Sequence, residues 1–119
     1  MTAYGQGGYY ERRCAAELTS AGYFVWLARG SKGAADLLAI KPGELLLVQV
    51  KKGQAIFRDT WWNPLLELAR RLEATALVAD FPRRRGGARY RRIIAPHRAR
   101  SRYWPCENWA PDQMEDSPP

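Results

Sequence analysis

In the run LLLVQVKK, from Leu45 to Lys52, the apolar pattern of a buried strand ends on an amide and an ammonium two positions apart. Side chains of a strand alternate between faces, so Leu45, Leu47, Gln49 and Lys51 share one face and Leu46, Val48 and Val50 the other. Burying an amide and an ammonium beside a core is costly unless each finds a partner. Asp36 is the nearest candidate. The run ADLLAI sets Asp36, Leu38 and Ile40 on one face and Leu37 and Ala39 on the other, Pro42-Gly43 signals a tight turn, and ELLLVQVK returns as the antiparallel partner. Asp36 begins one strand of this hairpin and Gln49 and Lys51 end the next, so all three fall at one end of the sheet. An aspartate and an amide oxygen can share a hard divalent cation such as Mg²⁺, and a lysine beside them can stabilise charge developing on a phosphoryl group. The plainer possibility is a structural salt bridge between Asp36 and Lys51, with Gln49 a hydrogen-bonded bystander.

The surrounding pattern defines the elements that must hold these groups. From Tyr9 to Ala21 there is no Gly or Pro, and Tyr10, Cys14 and Leu18 recur every four residues with Ala15 beside them, which predicts a helix ended by Gly22. Glu11 lies on the same stripe, at the edge of the buried face. YFVWL, Tyr23 to Leu27, reads as a strand, and ARGSKGA as a loop that places Ser31 and Lys32 just before Asp36. After an aromatic-rich linker, Asn63 reads as an N-cap with Pro64 at the first helical position, followed by the stripe Leu65, Leu68, Ala69 and Leu72. Trp61 and Trp62, just before that cap, suit packing, or a dimer contact if exposed. ATALVADF reads as a strand buried on both faces, Pro82 to Gly87 as a basic turn, and ARYRRIIA as a further strand. The resulting order is α-β-β-β-α-β-β, an α/β domain with a mixed central sheet flanked by helices. A single domain is expected over residues 1–104, with a Gly-rich arm at 1–8 and a poorly ordered acidic, proline-containing tail at 105–119.

Composition narrows the chemistry. With 119 residues, two cysteines and one histidine, the chain cannot build a disulfide framework or a four-cysteine zinc site, and any Ser-His or Cys-His pair would have to rest on His97. No run approaches the roughly 18 apolar residues of a membrane span, and the N-terminus lacks the layout of a secretory signal, so a cytoplasmic protein without a membrane partner is expected. A formal net charge of +7 favours a polyanionic partner. The arginines at 83–85, 91, 92, 98, 100 and 102 fit either a second phosphate-binding surface or a solvated basic edge.

Taken in order, Gly7-x-x-x-Glu11-Arg12, Arg29-Gly30-Ser31-Lys32, Asp36 followed by LLAI, and Gln49-x-Lys51 resemble the archaeal-type Holliday junction resolvases of the PD-(D/E)XK, or restriction-endonuclease-like, nuclease superfamily. The likeness spans roughly Gly7 to Lys52, and the next helix and strand fit that family's αβββαβ core. It implies a Mg²⁺-dependent endonuclease, with Mn²⁺ as a substitute, acting as a homodimer on branched double-stranded DNA in recombination and repair. Asp36 would be the principal metal ligand, with Gln49 in the second ligand position, the Val50 carbonyl facing the metal, and Glu11 as an outer ligand. Lys51 would orient the attacking water. Ser31 would contact the scissile phosphate or a water on the metal, and Arg12, Arg13, Arg29, Lys32 and Lys52 would hold the DNA backbone. Ala35 stands where the superfamily has its proline, and Gln49 where glutamate is usual, which removes one negative charge from the metal site.

Overall fold

The computed structural model describes residues 8–28, 35–52, 57–83 and 85–111. Helix α1 (Tyr9–Ser20) leads into β1 (Phe24–Leu27), β2 (Leu37–Lys41) and β3 (Glu44–Lys52); α2 (Asp59–Arg71) then precedes β4 (Thr75–Phe81), β5 (Arg89–Ile93) and β6 (Cys106–Trp109). The strands form one sheet in the order β1-β2-β3-β4-β5-β6, antiparallel throughout except for the parallel pair β3–β4. A parallel pair cannot be closed by a tight turn, and α2 lies within the crossover that joins it. The β2–β3 hairpin closes with Lys41 opposite Glu44, and Gly43 at φ +79° behind Pro42 adopts the backbone that such a turn demands.

Alternation along β3 divides the core in two. Leu46 and Val48 pack with Cys14 and Leu18 of α1, together with Leu37, Ala39, Leu77, Ala79 and Phe81. Leu47, on the other face, packs with Trp61, Trp62, Leu65 and Ala69 of α2, and with Ala76, Val78 and Ile93. Helix α1 ends as its sequence predicts: Gly22 takes φ +98°, and the N–H of Tyr23 returns to the carbonyl of Leu18 at 3.0 Å.

Two boundaries differ from the sequence expectation. Helix α2 starts at Asp59, so Asn63 does not cap it and Pro64 lies within it. The earlier start buries Trp61 and Trp62, to 7% and 0% exposure, which outweighs the one helical hydrogen bond that Pro64 cannot donate. The tryptophans are therefore core residues. Asn63 instead grips the C-terminal segment, accepting from the N–H of His97 at 2.8 Å and donating to its carbonyl at 3.3 Å. The second difference concerns residues 105–119, expected to be a poorly ordered tail. Residues 106–109 form β6, paired with β5 through Tyr90↔Trp109 and Ile93↔Cys106, while 112–119 lie outside the described residues.

His97 fastens this added strand. Its ring stacks on Trp104 with centroids 3.4 Å apart, and its two nitrogens lie 2.6 Å from Asp59 Oδ1 and 2.8 Å from the Ser101 carbonyl. Both ring nitrogens are thus held by oxygen atoms, one from α2 and one from the segment that leads to β6. Replacing His97 with Ala removes the stack and strands the Ser101 carbonyl. The expected loss is about 2–4 kcal/mol of unfolding free energy by urea denaturation; a loss below about 0.5 kcal/mol, the range of an ordinary surface substitution, would contradict the clamp.

Candidate active site

Asp36 stands immediately before β2 and is held at three points. Its N–H donates to the carbonyl of Val48 at 2.7 Å, although the register pairs Val48 with Leu37. Residues 36 and 37 therefore both oppose Val48, a bulge that re-aims the side chain at position 36. The Asp36 carbonyl accepts from the N–H of Ala28 at 2.8 Å, and its Oδ2 accepts from the N–H of Val50 at 2.8 Å. Burial pushes the carboxyl above its ordinary value, against the downward pull of the Val50 N–H and of the Lys51 charge.

That geometry replaces the simple salt bridge with a different arrangement. Among the described residues no ion pair within 4.0 Å joins Asp36 to Lys51. The carboxylate binds the β3 backbone, and the Lys51 ammonium lies over the Trp61 ring, 5.1 Å from its centroid, on the α2 side of the sheet. Gln49 shares that side by alternation and is half-buried, while Val50 packs toward α1. Glu11, also half-buried, approaches from α1. Its charge and those of Glu17 and Asp36 all bear on the thiol of Cys14, which burial, despite a hydrogen bond with Tyr90, raises to about 12. Cys14 is accordingly an inert thiol.

The cations expected to hold DNA fare unequally. Arg12 and Lys52 are exposed. Arg13 donates to the Gly86 carbonyl and lies over the Phe81 ring at 4.9 Å, fastening the β4–β5 turn to α1. Arg29, Ser31 and Lys32 lie outside the described residues.

The sequence reading missed Asp80, inside the otherwise apolar run ATALVADF. It is 1% exposed; its Oδ2 pairs with Arg89 at 3.3 Å, and its Oδ1 has no partner among the described residues. The same holds for Nε1 of buried Trp61. The signal was available: a carboxylate in a strand buried on both faces is as anomalous as the amide and ammonium at the end of β3.

Among the described residues no three His, Cys, Asp or Glu side chains converge on a metal-sized space. The residues that would hold a divalent cation, by the sequence resemblance, are Asp36, Glu11 and Gln49 with its amide oxygen. These are hard oxygen donors of the kind Mg²⁺ and Mn²⁺ take, and they carry one negative charge fewer than a glutamate at position 49 would give.

No protein-family model matches the sequence, and no curated protein sequence does. Similarity emerges in the fold. The chain resembles Archaeoglobus fulgidus Hjc, a Holliday junction resolvase from an archaeal hyperthermophile, with a TM-score of 0.63 and 25% identity over 71% of this chain and 70% of that one. The mixed six-stranded sheet with two helices is the restriction-endonuclease-like α/β fold. Within that fold the likeness is to an archaeal Holliday junction resolvase, the family its motifs resemble.

Because burial raises the Asp36 pKa, the folded state binds this proton more tightly than the unfolded chain does. The group therefore adds stability where it is protonated in the fold, and that contribution is lost as pH rises from the ordinary carboxylate value through the raised one. Asp36→Asn keeps an acceptor for the Val50 N–H without the buried charge. Its expected midpoint of thermal unfolding at pH 7 is equal to or above that of the wild type, and its stability is flatter across the acidic range; a clearly lower midpoint would contradict this account.

Proposed function

We propose that this protein is a metal-dependent endonuclease that acts on branched DNA and resolves four-way junctions by paired, symmetric cuts. The observation that carries the reading is the coincidence of a resolvase-like fold with a carboxylate, an amide and an ammonium at the end of the β2–β3 hairpin. Asp36 would be the principal metal ligand, its carboxylate oriented by the Val50 N–H on Oδ2. Gln49 and the Val50 carbonyl join it, with Glu11 as an outer ligand. A Mg²⁺ or Mn²⁺ ion bound there would acidify water and neutralise phosphate charge. Lys51 orients the attacking water and stabilises the charge that builds on phosphorus as the water oxygen bonds to it and the leaving sugar oxygen departs. Arg12, Arg29, Lys32 and Lys52 hold the phosphate backbone, which positions DNA without reading its sequence, and Ser31 contacts the scissile phosphate or a water on the metal.

Paired cuts require two sites, and an exposed apolar surface supports a homodimer. Phe24 and Trp26, 63% and 56% exposed, stack edge to face with centroids 5.0 Å apart. They project to the α2 side, where Phe24 and the exposed Leu72 line one shallow groove. Such a patch can pair with its own copy about a two-fold axis. Trp26→Glu is expected to shift the protein from dimer to monomer in sedimentation equilibrium. A wild-type chain that stays monomeric with and without junction DNA would contradict the dimer.

The deciding experiment is cleavage of a labelled four-way junction, with flap and linear duplexes of equal length for comparison, in Mg²⁺ or Mn²⁺. Paired nicks on the junction are expected, with Asp36→Asn and Lys51→Ala binding DNA but cutting at least on the order of 100-fold more slowly. The charge missing at Gln49 favours one rival, a DNA-binding module without catalysis. Wild-type protein that binds the junction and never cuts it with either metal would establish that rival.

A further inference from the structure

The register sets three charged residues side by side across neighbouring strands: Lys51 of β3 is paired with Asp80 of β4, and Asp80 with Arg89 of β5. Directly paired residues project to the same face, here the α2 side, so the order across the sheet is cation, carboxylate, cation. The two flanks are not equivalent. Arg89 takes Asp80 Oδ2 at 3.3 Å with a side chain 59% exposed, whereas Oδ1 of the same 1%-exposed carboxylate has no partner among the described residues. A carboxylate so buried is stable only with its charge compensated, and a second cation stands one strand away. The Lys51 ammonium lies over the Trp61 ring of α2 and makes no ion pair within 4.0 Å among the described residues, so a rotation of its flexible side chain on that face must bring it to Asp80.

We propose that Asp80 is a positioning residue for Lys51: its Oδ1 takes the Lys51 ammonium in an ion pair, and Arg89 holds the other oxygen so that the carboxylate stays oriented toward β3. This rests on the nuclease reading only in giving Lys51 its catalytic task; the contact itself stands on the register and on the unpartnered oxygen. In this arrangement the negative charge lacking at Gln49 is supplied on the same face, one strand over. It anchors the ammonium beside the phosphate without adding a metal ligand.

The test uses the full chain and does not depend on nuclease activity. Lysine acetylation by an amine-reactive reagent is followed by peptide mass spectrometry, with Lys41 and the exposed Lys52 as internal references. Asp80→Asn is expected to raise the Lys51 rate, relative to both, by roughly fivefold or more, the release of a charged hydrogen bond of ordinary strength. An unchanged ratio in a variant that keeps its cooperative unfolding overturns the proposal. Should Asp80→Asn fail to fold, Arg89→Met decides. With Asp80 left to Lys51 alone, Lys51 labelling slows relative to the references, and an equal or faster rate refutes the ion pair. In junction cleavage, Asp80→Asn should lower the single-turnover rate about tenfold at unchanged DNA affinity. An unchanged cleavage rate removes the positioning role. A labelling shift in a protein that cuts no junction discards the nuclease reading and leaves the contact intact.

Discussion

Strand β3 is the constraint on which the remainder of the molecule depends. It bonds to β2 on one edge and β4 on the other, and its middle residues Leu46, Leu47 and Val48 are buried. A strand covered on both faces requires a helix on each, and a parallel neighbour requires a crossover, so α1, α2 and their order follow from β3. The strand also outlasts its partner. The β2–β3 ladder ends at Leu37↔Val48, while β3 runs on beside β4 to Lys52. Beyond that point the N–H of Val50 has no β2 backbone to receive it, and the Asp36 carboxylate takes its place. The polar end of the sheet is thus built by ending one strand early and substituting a side chain for the missing ladder bond.

Much of this was legible because it obeys short periods. Alternation in LLLVQVKK separated Gln49 and Lys51 from Val48 and Val50, the Pro42-Gly43 turn fixed the hairpin, and the four-residue spacing of Tyr10, Cys14 and Leu18 fixed α1. The bulge was not legible, since it depends on where a bond is made and not on which residue is present; alternation alone would have paired Asp36 with Gln49. The start of α2 was misread because Asn63-Pro64 is a strong local capping signal, overridden by the burial of two tryptophans. Strand β6 was missed for a similar reason. CENW, short and flanked by acidic and proline residues, has weak local preference, and it pairs only because the clamp around His97 delivers it to the edge of β5.

Legibility therefore fails where long-range contacts decide. Asp80 and Arg89 are nine residues apart in sequence, but nothing local indicates that a third charge, Lys51, stands level with them across a parallel pair. Parallel register is set by the crossover and by two-sided packing, neither of which leaves a signature at the paired residues. The buried aspartate in ATALVADF was the visible trace, a residue whose cost to the fold calls for a compensating partner.

Asp36 raises the same issue of cost. Its carboxyl is pushed upward by burial, so the fold carries a group whose charged form it disfavours, where a neutral side chain would serve the Val50 N–H as well. Structural need explains an acceptor at this position and does not explain a charge. A carboxylate kept where an amide would serve the same bond is the kind of costly group that functional sites retain, and the end of a sheet is where such a group is least costly. The same logic explains why the polar residues gather at the end of β3 and not at its centre. Between Leu46 and Val48 an amide would be buried on all sides, whereas three residues later the strand is half-buried and one side chain can face both the core and the solvent.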